Sequence, residues 1–508
     1  MMTRPAGIAV SALTESHVAS TNTEKTLDLA GRLSVLAVLC AALSVAAPAQ
    51  TYQTFLVGNP VSGVPTQGTD GNFYATSPYG LPTGPGSVIR VEPGGNVTTL
   101  YTFCSKVNCE DGEEPFSGVI QATDGNLYGT TFNGGTSVQS AGTVFKITPG
   151  GELSTLYSFC SQPNCSDGEF PYAGMVQGLN GKLYGVTSST IYEITSAGTL
   201  KTLRAFCSET NCTDGGAPPQ AAPMMLGTDG NFYGTTTTGG ANGSGTVYRM
   251  TPNGKYTVLY NFGACSQSSC PDGGGSSGLV QAANGNFYGV TVSGGANNSF
   301  YCSLGKSGSF GCGTVYELTS AGQFRVIHNF CSVTNCTDGA YALAGLTSAT
   351  DGNLYGTTAL GGANLCGYNP QLGCGSIFRL TLQGEFTTIY SFCGNTGCYG
   401  GGGIYALTQA TYGDLIGNGG DVIFSLSVGL GPFVETRPTA GKVGSTVSIL
   451  GNNLKSATEV TFGGTAAAFT IVSDTEVKAT VPAEATSGTV VVTAGTGSLK
   501  SNVPFQVH

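Results

Sequence analysis

"GVIQATDGNLYGTTFNGGTSVQSAGTVFKITPGGELSTLYSFC", residues 118–160, contains four apolar runs separated by turn residues. Asp124-Gly125 divides "GVIQAT" from "NLYGTT"; a Gly-rich loop then leads to "GTVFKIT", and Pro149-Gly150-Gly151 leads to "LSTLYSF". Asp-Gly and Gly-Gly supply the positive φ values that tight hairpin turns require. The stretch therefore predicts four short antiparallel strands, the make-up of one propeller blade.

The hairpin phrase recurs along the chain. It reads "DGNFYA" at Asp70, "DGNLYG" at Asp124, "NGKLYG" at Asn180, "DGNFYG" at Asp229, "NGNFYG" at Asn284, "DGNLYG" at Asp351 and "YGDLIG" at Tyr412, seven times in all. The third strand also recurs seven times, from "SVIRV" at Ser87 to "VIFSL" at Val422, but the fourth, "TLYSF", follows only six of the units. "TYQTFLVG", residues 51–58, has the right ending and sits at the other end of the repeat region. The expected fold is all-β: a seven-bladed β-propeller closed by an N-terminal strand, which leaves no open sheet edge. An open β-solenoid of the same repeats is the alternative.

Composition agrees with this class. Gly is 80 of 508 residues, charged residues make up 9%, and Trp is absent. Low charge with ample Val, Leu, Tyr and Phe argues against disorder. A net charge of -10 without a basic run speaks against nucleic acid or an anionic membrane surface as partner.

Arg32 precedes "LSVLAVLCAALSVA" and then "APAQ", where Ala47 and Ala49 fit a small-x-small cleavage site. Residues 1–49 are expected to be a signal peptide with a long n-region, or one whose true start codon lies downstream. Cys40 follows Leu39, where a lipoprotein signal wants a small residue, so ordinary secretion is favoured, with no membrane insertion after signal removal. The expected location is outside the cytoplasm, secreted or on a bacterial cell surface, and the protein is expected to be a monomer.

Setting Cys40 aside leaves sixteen of the 17 cysteines, each with a near partner. Six pairs have C-x4-C spacing: Cys104 and Cys109, Cys160 and Cys165, Cys207 and Cys212, Cys265 and Cys270, Cys331 and Cys336, Cys393 and Cys398. Two further local pairs are Cys302 with Cys312 and Cys366 with Cys374. A zinc site wants pairs converging from two places, whereas the C-x4-C pairs are spread one per blade. A redox couple prefers C-x-x-C at a helix terminus. Disulfide staples fit an exported chain best, so no metal and no cofactor are expected. Asp111, Asp167, Asp214, Asp272 and Asp338 follow the second cysteine and are expected to turn the chain into the next blade.

The string "GLVQAxDGNLYGTTxxGG…GTVYRxTPxG…TLYSF" resembles the GloVer tandem repeat of secreted bacterial choice-of-anchor proteins. That resemblance implies a surface or extracellular protein of undefined role. From residue 430 the cysteines vanish and alternating Val, Ile and Thr indicate a β-sandwich. Pro438, Gly441, Gly444, Gly451, "VTFGG" at Val460 and "VPA" at Val481 are similar to the IPT/TIG immunoglobulin-like family. Such domains act as spacers or interaction modules. The expected division is thus 1–49 leader, 50–429 propeller and 430–508 IPT/TIG domain.

In a four-stranded meander the cysteine corners share a face with the second loops of each unit. The tight Asp-Gly and Pro-Gly turns lie on the other face, which is expected to have no room for a site. Two second loops are enlarged, residues 294–313 and 361–375, and each carries its own cysteine pair. Their Asn297, Tyr301, Phe310, Asn364, Tyr368 and Asn369 are candidate ligand contacts, with neutral loop growth as the alternative. Gln67, Gln121, Gln177, Gln281 and Gln409 recur on the first strand and are expected to bond between blades, or to ring the channel.

Catalysis has little to stand on. Outside the leader there are two histidines, terminal His508 and His328, which occupies the strand position of Tyr101, Tyr157, Tyr260 and Tyr390. Streptogramin-lyase-like propellers depend on histidine and a divalent cation, and nothing here matches that pattern. Glu113, Glu114 and Glu169, at matching points of neighbouring corners, are acids outside the repeated turns, with Glu113 and Glu169 the candidates for glycoside chemistry. The expected function is non-enzymatic recognition of an extracellular glycan, peptide or envelope component through the cysteine-loop face. A polysaccharide hydrolase or lyase on that face, or a purely structural adhesion protein, are the alternatives.

Overall fold

The computed structural model describes residues 50–80, 84–219, 222–265, 270–297, 302, 311–366, 369–393, 404–495 and 497–508. The leader expected over 1–49 lies outside them. Among the described residues no helix is long and apolar enough to cross a membrane.

The recurring phrase "DGNLY" folds locally for a local reason. Asp124 accepts hydrogen bonds from the Asn126 amide at 3.1 Å, the Asn126 side chain at 2.9 Å and the Tyr128 hydroxyl at 2.7 Å. Asp70 and Asp351 do the same with their own Asn and Tyr. One side chain thus holds the turn and fixes the following strand.

Seven four-stranded antiparallel sheets result among the described residues of the repeat region. The first runs Ser62–Gln67, Phe73–Ser77, Ser87–Val91, Val97–Thr102. The second runs Ile120–Gln121, Leu127–Thr131, Thr143–Ile147, Leu153–Ser158. In both, the second strand is wholly buried and the fourth is partly exposed, as befits an outer edge. The fifth sheet departs from the pattern with a 12-residue first strand, Cys270–Gln281. In the seventh, Ile404–Gln409, Leu415–Gly419 and Val422–Ser427 are joined by Thr51–Leu56, which pairs antiparallel with Val422–Ser427 from Thr51↔Ser427 to Leu56↔Val422.

Neighbouring sheets pack through aromatic rings. The Phe that ends one fourth strand meets the third-strand ring of the next sheet: Phe103 with Phe145 at 5.1 Å, Phe159 with Tyr192 at 5.2 Å, Phe330 with Phe378 at 5.4 Å, Phe392 with Phe424 at 5.5 Å. Edge-to-face pairs of this kind add to the burial term. Each such ring lies over the glycine of "LYG", or of "LIG" in the seventh sheet, on the adjacent strand. Gly129 pairs with Phe145, and a Cβ there would stand 2.4 Å from Cζ of that ring. In the first sheet Ala75 replaces the glycine, and its partner is the smaller Ile89.

The five glutamines bond between sheets. The side-chain oxygen of Gln121 accepts from the Thr69 amide, Gln177 from Thr123, Gln281 from Thr228 and Gln409 from Thr350. Gln67 of the first sheet accepts from Thr411 of the seventh at 2.9 Å, and Asn418 donates to the Val61 carbonyl at 2.8 Å. First strands of adjacent sheets pinch together at glycines; a Cβ on Gly63 would overlap the Gly118 backbone at 1.9 Å.

The C-terminal module is a sandwich of two four-stranded sheets. One runs Glu435–Arg437, Thr446–Leu450, Glu476–Thr480, Phe469–Ile471; the other runs Thr465–Ala466, Ala457–Phe462, Val490–Ala494, Gly497–Lys500. Val447, Ile449, Val460, Phe462, Val477 and Val492 fill the space between them. The module sits on the Asp-Gly turns. Thr475 donates to the Thr69 carbonyl at 2.6 Å and Asn452 to the Thr411 hydroxyl at 2.8 Å. The turn face expected to have no room for a site is therefore the seat of this second module.

Candidate functional site

Four of the cysteine corners are built around a buried carboxylate, Asp111, Asp167, Asp214 or Asp338. Cys104, Asn108 and Cys109 adopt left-handed φ values of 54°, 55° and 53°, which an L-residue takes up at a cost. Asp111 is fully buried beneath them. It accepts from the Tyr101 hydroxyl at 2.7 Å, the Ser105 amide at 3.0 Å, the Ser105 hydroxyl at 2.9 Å and the Lys106 amide at 3.1 Å. The aspartate thus bonds backward into its own loop rather than turning the chain forward. Burial alone pushes this carboxyl up, but the bonds from Tyr101, Ser105 and Lys106 outweigh it and hold the group below its ordinary value. Asp167, Asp214 and Asp338 are lowered in the same way against the same burial. His328 takes the tyrosine's place, with Nε2 3.1 Å from Asp338 and its ring stacked 3.7 Å from Phe386. It is a structural substitution within the repeat.

Disulfides join Cys104–Cys109, Cys160–Cys165, Cys207–Cys212, Cys265–Cys270, Cys331–Cys336 and Cys302–Cys312. Cys374 is disulfide-bonded too. Cys398 and the side chain of Cys366 lie outside the described residues, so the Cys393 and Cys398 pairing does as well. The sulfurs of Cys302, Cys312, Cys331 and Cys336 all lie within 4.8 Å of one another. Separation by a whole blade holds for the corners among themselves, but an enlarged second loop brings its pair against the corner that follows.

The enlarged loops use their asparagines inward. Asn297 donates to the carbonyls of Asn329 at 3.2 Å and Phe330 at 3.0 Å, and Asn364 donates to that of Ser391 at 2.9 Å. Asn242 does the same in an ordinary second loop, to Phe262 at 3.0 Å. Both candidates for ligand contact are therefore committed to tying the loop to the end of the fourth strand. Tyr301, Phe310 and Tyr368 lie outside the described residues; Asn369 opens the short strand Asn369–Gly373, its side chain likewise outside them. Of the two acids, Glu113 forms a main-chain bridge with Asn133, and Glu169 sets its carboxylate within 4.8 Å of the sulfurs of Cys160 and Cys165. The structure places them in separate corners, and the described hydrogen bonds of both are made by the main chain.

What the corner face does contain is a cavity of about 920 Å³, lined by residues from several corners and second loops. Its wall includes Tyr79, Phe116, Tyr172, Pro218, Pro219 and Leu343. Four of these occupy one repeat position, five residues beyond the corner aspartate: Phe116, Tyr172, Pro219 and Leu343. Three residues beyond it stand Glu114, Phe170, Ala217 and Tyr341, and Glu114, Phe170 and Tyr341 have left-handed φ values of 57°, 51° and 57°. Backbone strain of this kind gathers at ligand clamps and active sites.

The aromatic members form a continuous ribbon across the first three sheets. Tyr79 meets Phe116 at 5.5 Å, Phe116 meets Phe132 at 5.5 Å, Phe132 meets Tyr172 at 4.1 Å and Phe170 at 5.1 Å. Tyr79 is 41% exposed. Beside the ribbon, Asn133 donates to Glu114 Oε2 at 2.8 Å. Burial and the neighbouring Glu113 raise the Glu114 carboxyl above its usual value, and the hydrogen bond from Asn133 offsets them only in part. Burial, and then the charge of Glu114, raise the phenols of Tyr79 and Tyr172. Phe116, Phe170 and Tyr172 add no loop length; aligning the corners by their aspartates exposes them, because aromatic residues enter those two positions only in some corners.

A strand pattern repeated this often, with a β-sandwich behind it, defines a repeat protein carrying an immunoglobulin-like module. The model of the Gloeobacter/Verrucomicrobia repeat matches residues 49–209 and 189–424, and that of the IPT/TIG domain matches residues 434–507. The chain belongs to the Gloeobacter/Verrucomicrobia repeat family. No curated protein sequence matches it. Among solved structures it is similar to a streptogramin B lyase, at 15% identity and a TM-score of 0.47 over 74% of this chain and 97% of that one. It is also similar to a protein of unknown function from Bacteroides thetaiotaomicron VPI-5482, at 13% identity and 0.41 over 75% and 76%. A third is PorZ of Porphyromonas gingivalis, an essential bacterial surface component of the type-IX secretion system, at 15% and 0.43 over 86% of this chain and 58% of that one. At such identities the likeness concerns fold alone.

Proposed function

We propose that this chain is an extracytoplasmic, non-enzymatic binding protein. Its seven sheets form a propeller closed by Thr51–Leu56, and its ligand enters the cavity on the cysteine-corner face. Closure is supported by the pairing of Thr51–Leu56 with Val422–Ser427 and by the glutamine clasp, which spans the first and seventh sheets as it spans neighbours elsewhere. Disulfides in the corners fit an oxidising compartment. The observation that carries the binding reading is the 920 Å³ cavity with its partly exposed aromatic wall, a size and lining typical of ligand sites. With the opposite face occupied by the IPT/TIG module, approach is from one side.

The test is a binding screen of the purified protein against glycan and peptide arrays, run beside Ala217→Trp. Ala217 is exposed at the position where Phe170 stands in the preceding corner, so the larger ring fills the mouth without entering a core. Ligands captured by the wild type are expected to be lost in the variant. Equal capture by both proteins would place the binding surface elsewhere. A polysaccharide hydrolase has one observation in its favour, the raised Glu114 carboxyl; release of shortened chains from an array ligand, abolished by Glu114→Gln, would establish it instead.

A further inference from the structure

We infer that the aromatic ribbon Tyr79–Phe116–Phe132–Tyr172 is a stacking platform for a neutral glycan chain, with Glu114 and Asn133 as its hydroxyl-binding pair. This rests on the mouth being the ligand site. Rings packed edge-to-face or tilted on one another yet left partly open to solvent present apolar, electron-rich faces. A pyranose covers such faces with its C–H groups while its hydroxyls stay at the rim. The ribbon extends over three consecutive sheets in steps of 4.1 to 5.5 Å, a run of contiguous faces suited to a linear chain rather than a single compact molecule.

The polar groups select the class. Among the described lining residues there is no Lys, Arg, His, Asp or Glu, and beside the ribbon stands the carboxylate of Glu114, hydrogen-bonded to Asn133. An anionic polymer meets no counter-charge there and one repelling group. The acceptors available beside the ribbon, the second Glu114 oxygen and the Asn133 side-chain oxygen, call for a donor-rich ligand. A sugar supplies several O–H donors per ring. A proline-rich peptide, the other frequent occupant of aromatic-lined grooves, lacks N–H at its prolines and would turn carbonyls toward these acceptors. Glu114 and Phe170 hold left-handed φ values, Phe170 packs on Phe132 at 5.1 Å and Glu114 is held by Asn133, so the ribbon and its polar pair are in place before the ligand arrives.

Isothermal titration of the purified protein with cellohexaose, maltohexaose, mannohexaose, a sulfated oligosaccharide and a hexaproline peptide tests this. At least one neutral hexasaccharide is expected to bind, the sulfated one and hexaproline are not. Tyr172→Ala and the exposed Tyr79→Ala should each weaken binding at least fivefold with the thermal midpoint unchanged for Tyr79→Ala, and Glu114→Gln should weaken it less. Hexaproline or sulfated chains binding in place of neutral ones would overturn the assignment, as would a neutral saccharide indifferent to Tyr79→Ala and Tyr172→Ala. If no neutral saccharide binds but some array ligand is lost on Ala217→Trp, the glycan inference falls and the mouth stands. If Ala217→Trp affects no ligand, both fall.

Discussion

Gly129 and Phe145 are directly paired across adjacent strands, and the ring occupies the volume a Cβ would need. Ala75 with Ile89 is the same contact redistributed, a methyl gained on one strand and a ring lost on the other. Gly129→Ala should therefore cost about 1–3 kcal/mol, the range for overfilling a packed interface. Adding Phe145→Ile should recover part of that loss, because it reproduces the first sheet. Urea unfolding of the two single variants and the double variant checks this, and additive losses would mean that the ring does not set the glycine. The glycines of "LYG" were read from the sequence as part of a turn-rich phrase. Their real constraint is a neighbour on another strand, which no local pattern exposes.

At the scale of elements, the corner is a balance of unfavourable backbone and favourable contacts. Three left-handed residues cost on the order of 1 kcal/mol each or more. A short disulfide loop contributes roughly 2 kcal/mol, and four hydrogen bonds to the buried aspartate supply the rest. Asp111, Asp167, Asp214 and Asp338 have folded pKa values below the unfolded one. Their contribution is thus complete above the unfolded carboxylate pKa of about 3.9 and disappears as pH falls through the folded values. The thermal midpoint is expected to drop steeply below about pH 4 on this account. Asp111→Asn should lower it at pH 7, with the difference from wild type shrinking in acid. A constant difference at pH 7 and pH 3 would show that the charge of Asp111 is not what stabilises the corner. The cysteine pairs were legible because their spacing is local. The direction in which the aspartate bonds was not, since its donors include Tyr101 on the strand before.

For the whole molecule, strand number and order could be read from turn chemistry repeated at intervals, down to the stray copy at residues 51–58. The position of the mouth could not. Length singled out the loops at 294–313 and 361–375, whereas the cavity wall is made by substitutions at fixed corner positions that add no length. Removal of residues 51–56 tests the closing strand. The seventh sheet would keep three strands and an unpaired Val422–Ser427 edge, so the protein is expected to melt earlier and to form dimers or larger species through that edge. Light scattering and thermal unfolding report both; a monomer with the parental midpoint would show that the strand is dispensable.

The pairing of Thr51–Leu56 with Val422–Ser427, and of Gln67 with Thr411, also sets a schedule. Residues at the start of the repeat region find their partners only when residues at its end have been made, so the interior sheets can settle one by one while the two ends wait. Contacts of such sequence separation form slowly. A chain interrupted anywhere before Val422 has no partner for its first strand, whatever the condition of the sheets in between. Completeness of the repeat region is thereby checked by the fold itself, at a single seam.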